Sequence, residues 1–314
     1  MKFKKPSFWQ SKKNNFLLKI FYPLTIPLIL SNLYSNIKNK KKFDNIKSIC
    51  VGNIYVGGTG KTPLTIELFN ILRKLKYKTC VARKFYNEYL DEQIILERKT
   101  NLIISKKRSM AFKKAISEKM DVIIFDDGLQ DKSVDYDIKL VCFNSKSWLG
   151  NGHLLPLGPL REKINSLKKY DAVILNGDDQ NLEMKKTEIK KINNNIKIFN
   201  TKYIPSNLNK LKKDLDYLIF SGIGHPESFK QILINNGINV KKELVFPDHH
   251  EYSKHDIDQI LLEAKKNNLK VLTTEKDFVK ISKNQTDEIR SLEIDLKIFE
   301  EKNLIKLIET KINA

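Results

Sequence analysis

Six residues between an apolar run and a helical pattern constrain this chain more than any other feature. The run IKSICVGN (46–53) is short, apolar and ends near a glycine, which is typical of a buried strand. GGTGKT follows at 57–62, and leucines then recur with helical spacing over 62–76. A glycine-rich turn backed by a helix N-terminus directs several backbone N–H groups at one point, which suits a phosphate group. The pattern predicts a phosphate-binding loop at a strand-to-helix junction.

The side chains of this loop predict a nucleoside triphosphate with its metal. Lys61 is expected to reach the β- and γ-phosphates, and the Thr62 hydroxyl to bind Mg²⁺. The common form of the loop has a further glycine where this chain has Tyr55. ATP and Mg²⁺ are therefore the expected cofactors. The residues expected to bind the nucleotide are Gly57, Gly58, Thr59, Gly60, Lys61 and Thr62.

A pair of aspartates supplies the expected partner of the loop. DVIIFDDG (121–128) is an apolar strand pattern that ends at Asp126 and Asp127. In a parallel sheet that end of the strand opens beside the phosphate loop, and carboxylates there suit a Mg²⁺ ion that bridges two phosphates. We expect Asp126, Asp127 and Thr62 to form the metal site. A simple Asp-Gly turn is the alternative.

The remaining pattern predicts an α/β fold with two domains. Apolar strands at 78–83, 139–144 and 171–177 alternate with helical patterns, which favours a Rossmann-like P-loop domain whose mostly parallel sheet is covered on both faces. A polar stretch at 178–197 is expected to be a surface helix and loop outside the core. A strand from 217, a helix at 254–266, the strand KVLTTEKD (270–277) and a strand plus helix from 292 predict a second, smaller α/β domain.

These patterns give four expected segments. They are an N-terminal segment at 1–45, the P-loop core at 46–200, the smaller domain at 205–300 and a C-terminal helix at 301–314. In the first of these, no charge occurs from Ile20 to Ile37, and lysines flank both ends. Prolines and asparagines interrupt the apolar run, so an interfacial membrane helix is favoured over a membrane span or an ordinary packed helix. No A-x-A-like cleavage site follows the apolar run, so a signal peptide is not expected.

Charge and cysteines add weaker constraints. The net charge of +20 suits anionic partners such as phospholipid headgroups or phosphorylated substrates, although the lysines are spread along the chain as compositional drift would leave them. No nucleic-acid-binding motif accompanies the charge, so no nucleic-acid partner is expected. Cys50, Cys80 and Cys142 each lie in an apolar run, which predicts buried thiols in a reducing compartment.

Six motifs in order resemble one family along nearly the whole chain. They are VGNIYVGGTGKTP, FDDGLQ, GNGHLLPLGPLRE, SGIGHPESF, FPDHHEYS and LTTEKD, preceded by PSFW near the N-terminus. Together they resemble the tetraacyldisaccharide 4'-kinases, and the family also lacks the first loop glycine. The resemblance implies transfer of the ATP γ-phosphoryl group to the 4'-hydroxyl of an acylated glucosamine disaccharide 1-phosphate in lipid A biosynthesis. It also implies linker strands to the smaller domain, a membrane-binding N-terminal helix, a monomer, and a place on the cytoplasmic face of the inner membrane.

The resemblance assigns further site residues. Asp91 matches the family's catalytic base and His249 its hydrogen-bonding partner, while Arg161, Glu162 and Gln130 match positions near the acceptor, the phosphates and the metal. Because adjacent residues of an extended segment point in opposite directions, His249 and His250 are not expected to bind one metal together.

Two departures from the family bear on the acceptor. Asp91 and Glu92 lack the flanking Gly and Pro, and the preceding segment 82–91 is short and without glycine. The sequence gives no role for Glu275, Lys276 and Asp277. The runner-up function is a membrane-associated P-loop switch ATPase without a small-molecule acceptor, and a nucleic-acid-dependent ATPase comes third.

Overall fold

A computed structural model of the protein describes residues 6–10, 21–37, 40–85, 90–131, 133–177, 181–282, 285 and 287–314. Within these residues the chain divides into two compact units. The larger unit draws on 5–85, 99–202 and 296–314, and the smaller one on 86–98 and 203–295. Each unit has its own sheet and its own buried apolar core.

The larger unit is built on an eight-stranded sheet. Its central strands carry continuous apolar runs because helices cover both faces, as the sequence predicts. The pairings from β7 to β3 in the order β7-β6-β5-β1-β4-β2-β3 are parallel, and β12 lies beside β7. The strands are β1 (Lys47–Gly52), β2 (Thr79–Lys84), β3 (Leu102–Ser105), β4 (Val122–Asp126), β5 (Ile138–Asn144), β6 (Ala172–Asn176), β7 (Lys197–Pro205) and β12 (Ile294–Ile298).

Helices of the larger unit pack leucine, isoleucine and phenylalanine side chains into this core. The helix that follows the phosphate loop buries the predicted leucine stripe, including Leu64, Leu68 and Leu72. The helices are α1 (Ile26–Ile37), α2 (Lys61–Lys74), α4 (Arg108–Ser117), α5 (Leu182–Ile192) and α9 (Glu301–Ile312), numbered in chain order together with those of the smaller unit.

The smaller unit is a four-stranded parallel sheet in the order β11-β10-β8-β9. Its strands are β8 (Asp216–Ser221), β9 (Asn239–Val245), β10 (Lys270–Thr274) and β11 (Ile289–Leu292). Its helices are α3 (Leu90–Lys99), whose last residue belongs to the larger unit, α6 (Pro226–Asn235), α7 (Lys254–Lys266) and α8 (Glu275–Phe278). A second, smaller α/β domain, as the sequence predicts, is therefore confirmed.

Three expectations about elements are wrong. The strand predicted over 270–277 ends at Thr274, and α8 follows it. The strand plus helix from 292 does not complete the smaller sheet, because β12 pairs in the eight-stranded one. The stretch 178–197 contains α5, whose Ile189 is fully buried in the core, so one face of this lysine-rich helix is a core element.

The prediction that the three thiols are buried is confirmed, and the N-terminal segment is only partly described. Cys50, Cys80 and Cys142 are buried and free, and burial raises the pKa of Cys50 and of Cys80 to about 12. Residues 1–5, 11–20 and 38–39 of the expected membrane-associating segment lie outside the described residues. Among the described helices, none combines the length and the apolar character needed to cross a bilayer.

Candidate active site

The phosphate loop has the conformation that its glycines allow. Gly60 has a φ of 91°, in the left-handed region that glycine adopts without strain. It is the last residue of the loop, directly before Lys61, the first residue of α2. Asn53 stabilises the loop, because its buried amide donates to Thr59 Oγ1 at 3.0 Å and to the Gly57 carbonyl at 3.3 Å. The predicted loop at a strand-to-helix junction is confirmed, and Asn53 is a supporting residue that the sequence reasoning missed.

The GPLRE segment flanks the start of the loop. Val56 N donates to Pro159 O at 2.8 Å, and Arg161 N donates to Ile54 O at 2.7 Å. Between them Tyr55 is 1% exposed and packs in a small apolar cluster with Leu154 and Leu160. Tyr55 can stand where the common form of the loop has glycine, because the neighbouring segment buries its large aromatic side chain.

Asp126 lies at the end of β4 and is fully buried. Its carboxylate forms an ion pair with Arg83 of β2, and the two side chains are 0% and 7% exposed. The hydroxyls of Thr62 and Thr65 donate to the same carboxylate at 3.4 Å each. The structure therefore connects the expected metal residues Asp126 and Thr62, and it adds Arg83 and Thr65, which no motif singled out.

Asp127 carries the charge that faces the loop lysine. Its backbone has a φ of 55°, and the buried Arg108 guanidinium donates to its carbonyl oxygen. Its Oδ1 lies 3.9 Å from Lys61 Nζ and 3.2 Å from an Arg161 guanidinium nitrogen. One carboxylate thus brings together two cations that can both bind phosphate oxygens.

Gln130 and Glu162 form a polar network behind Arg161. The Gln130 amide accepts from Arg161 at 3.2 Å and donates to Glu162 Oε1 at 3.0 Å and to the Asn53 carbonyl at 2.7 Å. Glu162 is buried and also accepts from the Tyr170 hydroxyl at 3.1 Å. Burial, followed by the charge of Glu162, raises the pKa of Tyr170. In this network Gln130 and Glu162 fix the position of the Arg161 side chain relative to the phosphate loop.

The donor set at the loop fits Mg²⁺. Thr62 offers a hydroxyl next to the Asp126 carboxylate, and Asp127 offers a second carboxylate near Lys61. In the described part of the chain no three His, Cys, Asp or Glu side chains form a metal-binding group. Such a set does not suit a structural zinc, which takes four protein ligands. It suits Mg²⁺, which typically takes one or two protein groups and completes its shell with phosphate oxygens and water.

Asp91 and His249 form a hydrogen-bonded pair in the smaller unit. His249 Nδ1 lies 3.0 Å from one Asp91 oxygen and 3.3 Å from the other. Asp91 is 3% exposed, and it lies in the first turn of α3. Burial raises its pKa, but the hydrogen bond with His249 and the charge of Lys276 outweigh burial, so the pKa of Asp91 lies below its usual range. The structure brings these two predicted residues together.

Lys276 completes what we call the Asp91 cluster, which comprises Asp91, Glu92, Asp248, His249 and Lys276. Its Nζ lies 3.2 Å from Glu92 Oε1 and 3.3 Å from His249 Nε2. It also lies 3.9 Å from both Asp91 Oδ2 and Asp248 Oδ1. The TTEKD motif contained this lysine, but sequence spacing could not show that its partners lie on α3 and on the turn before α7.

The two adjacent histidines have different partners, although the reason expected from the sequence is wrong. His249 has a φ of 58° and lies in a turn, with its N–H donating to Gly222 O at 3.0 Å, so the segment is not extended. His250 stacks on Phe246 and lies 3.4 Å from Asp256. A sharp turn, not strand alternation, separates the two imidazoles.

The parallel sheet, the glycine-rich loop and the carboxylates at the adjoining strand end define a P-loop nucleotide-binding protein. A family model described as tetraacyldisaccharide-1-P 4'-kinase matches residues 17–313. Proteins named tetraacyldisaccharide 4'-kinase match as well, one from Pelagibacter ubique (strain HTCC1062) at 47% identity over 312 residues and 98% of each chain. Another, from Rickettsia bellii (strain OSU 85-389), is 32% identical over 310 residues, covering 93% of this chain and 94% of its own. The chain belongs to the tetraacyldisaccharide 4'-kinase family.

A solved structure supports the fold independently. The "apo" form of LpxK from Aquifex aeolicus in complex with ATP superposes with a TM-score of 0.72 at 23% identity, covering 95% of this chain and 100% of that one. At this identity the likeness establishes a shared fold. The predicted fold class and the resemblance are thus confirmed.

Proposed function

We propose that this protein transfers the γ-phosphoryl group of ATP to the 4'-hydroxyl of a tetraacyldisaccharide 1-phosphate lipid. The observation that carries the proposal is the convergence of Lys61 and Arg161 on Asp127 beside the phosphate loop. Two cations at a strand end, next to amides that face one point, suit the charge that spreads over a transferring phosphoryl group. Membership of the family supplies the acceptor class.

On the nucleotide side, each residue has a task that follows from its contacts. The amides of Gly57 to Thr62 would cradle the phosphates, and Lys61 would bind the β- and γ-phosphate oxygens. Thr62, with Asp126 and Asp127, would hold Mg²⁺, which when bound neutralises phosphate charge. Arg161 would bind the γ-phosphate, because Gln130 and Glu162 already orient it and its backbone is tied to the loop.

On the acceptor side, Asp91 would take the proton from the 4'-hydroxyl. Its lowered pKa keeps it ionised at neutral pH, which a proton acceptor requires. His249, hydrogen-bonded to it, would orient the carboxylate. Leu90 and Phe85 are exposed on either side of the shortened segment, and residues 86–89 of that segment lie outside the described residues.

The lipid acceptor would bring the protein to a membrane surface, on the cytoplasmic face of the inner membrane and as a monomer. Exposed apolar side chains at the N-terminal end support the contact with a membrane surface, since Phe21, Leu24 and Leu30 are 49%, 57% and 58% exposed. Exposed apolar side chains in a segment that lysines flank in the sequence suit a helix that lies in the headgroup plane.

The test is transfer of labelled γ-phosphate from Mg-ATP to the tetraacyldisaccharide 1-phosphate in detergent, with Lys61→Ala as the comparison. We expect labelled lipid that is lost by orders of magnitude in Lys61→Ala while the fold is retained. Acceptor-independent ATP hydrolysis without labelled lipid would overturn the proposal and favour the switch ATPase.

A further inference from the structure

Lys276 contacts every other member of the Asp91 cluster. Its ammonium lies between Glu92 of α3 and the imidazole of His249, at 3.2 and 3.3 Å. The carboxylates of Asp91 and Asp248 lie 3.9 Å away. The side chain is only 21% exposed, and these three carboxylates raise the pKa of Lys276 although its burial opposes the shift. It is therefore a fixed positive charge at the centre of the cluster.

The short helix α8 holds Lys276 in one place. The Thr274 hydroxyl caps the helix by accepting from Asp277 N at 3.1 Å, and it donates to the Asp277 carboxylate at 2.7 Å. Asp277 is fully buried, and it also accepts from Gly222 N at 3.0 Å. These bonds attach α8 to the end of β8, so the backbone of Lys276 has little freedom.

The contact with Lys276 determines which nitrogen of His249 carries hydrogen. An ammonium group can only donate, so His249 Nε2 must accept from it. Nδ1 is then the protonated nitrogen, and it donates to Asp91 at 3.0 Å. The opposite tautomer would place an N–H against the ammonium and would leave Asp91 facing a lone pair. The order of the contacts is therefore Lys276, His249, Asp91.

We propose that Lys276 is a positioning residue for phosphoryl transfer, which fixes the Nδ1–H tautomer of His249 and thereby the orientation of Asp91. The inference rests on the proposed function, in which Asp91 accepts the proton of the acceptor. Lys276 acts through His249 and Glu92 and is not itself assigned to the reacting atoms. It gives a role to a motif for which the sequence provides none.

The charges that face His249 and Asp91 explain why a lysine is needed. Glu92, Asp248 and Asp91 are three carboxylates in one cluster, and their joint negative charge requires a cation among them. Lys276 supplies that cation, and Lys280, which pairs with Asp277 at 2.7 Å, lies 4.0 Å from Asp91. Replacing Lys276 with methionine keeps most of the length of the side chain but removes the charge and the donor.

The first experiment observes the tautomer directly by ¹⁵N NMR of the five histidines in the full chain, with His249→Gln to assign the signal. We expect the Nδ1–H form in the unaltered protein and in Lys276→Arg. In Lys276→Met we expect the signal of His249 to depart from that of the Nδ1–H ring, because Nε2 no longer faces the ammonium donor. An Nε2–H ring in the unaltered protein would overturn the inference, and this result does not require any Lys276 variant to fold.

The second experiment measures the pH dependence of transfer. In Lys276→Met we expect kcat to fall by about 10- to 100-fold. The acidic limb should move to higher pH, because Asp91 loses one of the positive charges that lower its pKa. Lys276→Arg should recover much of both. The matched control is Lys270→Met, which removes an exposed lysine from the other end of β10.

Two outcomes are decisive for Lys276. A kcat and pH profile like those of Lys270→Met, with the tautomer unchanged, would show that Lys276 has no positioning role. A failure of the unaltered chain to transfer phosphate would count against the proposed function instead, because the tautomer of His249 is measured without any acceptor.

Discussion

At the scale of single residues, function depends on which charges are paired inside the protein. Arg83 and Asp126 are both buried, and their ion pair lies directly behind the Thr62 hydroxyl at the phosphate loop. A buried charge without its partner costs far more than an exposed one. The same pair therefore contributes to both the stability of the larger unit and the shape of the loop.

Replacing Arg83 with methionine tests this pairing. The change leaves the Asp126 carboxylate buried without the positive charge of Arg83, so we expect the larger unit to lose about 3–5 kcal/mol of unfolding free energy. Urea unfolding measures the loss, and adding Asp126→Asn should restore part of it. Arg73→Met, which removes an exposed arginine of α2, is the control and should cost less than about 1 kcal/mol. Equal costs for the two arginines would contradict the account.

Replacing Asp91 with alanine separates proton transfer from nucleotide binding. Loss of a general base should lower single-turnover transfer by about 100- to 10,000-fold. ATP affinity should stay within about twofold, because the nucleotide residues belong to the other unit, and the exposed Asp214→Ala serves as control. Since the pKa of Asp91 is lowered, its basic form persists at neutral pH and activity should decline only in acid. Collapse of ATP binding with unchanged chemistry would exclude Asp91 as the base.

Sequence motifs supplied most of the proposed site residues but not the residues that contact them. Lys61, Thr62 and the two aspartates were predictable because the loop and the strand end have fixed spacings along the chain. Arg83 and Lys276 were not, because each acquires its role from residues that are tens to nearly two hundred positions away. Ion pairs between distant segments leave no periodic signal in one sequence.

At the scale of elements, the main surprises come from how elements end and from what they pack against. The run KVLTTEKD was expected to be one strand, but Thr274 and Asp277 have the spacing of an N-cap and its third helical residue, and they turn the chain into α8. Its lysines made α5 look like a surface element, although helical spacing places Ile189 on a buried face. In both segments a helix cap or helical periodicity determines the structure, and the average apolar content does not.

Replacing Thr274 with valine tests the cap of α8. Valine keeps the shape of the side chain but cannot accept the Asp277 amide or donate to its carboxylate, so we expect a loss of about 1–2 kcal/mol in the unfolding of the smaller unit. Transfer activity should also fall, since α8 carries Lys276. Thr310→Val, at an exposed position of α9, is the control. Unchanged stability would contradict the capping role.

At the scale of the whole molecule, charge and exposed apolar surface both suit an anionic lipid surface. The chain carries 57 basic and 37 acidic residues, which gives the net charge of +20. Leu24 and Leu30 add exposed apolar side chains near the N-terminal end of the described chain. Lysine attraction to lipid headgroups weakens with salt, whereas apolar insertion does not, so the two contributions can be separated.

Binding to vesicles tests this combination. The double variant Leu24→Ser, Leu30→Ser should weaken binding to phosphatidylglycerol vesicles by at least about tenfold, because each buried leucine contributes about 1.5–3 kcal/mol. Leu262→Ser changes a leucine that is 61% exposed in the smaller unit and should leave binding unchanged. Sedimentation at low and high salt gives both numbers. Equal effects of the two changes would argue against insertion of the N-terminal residues.

The most direct test of the central claim compares two acceptors under identical conditions. One is the tetraacyldisaccharide 1-phosphate, and the other is the same lipid without its 4'-hydroxyl. The account predicts that labelled γ-phosphate appears only on the first lipid, and that the product carries its second phosphate at the 4' position. Equal labelling of both lipids, or labelling of neither while ATP is hydrolysed, would contradict it.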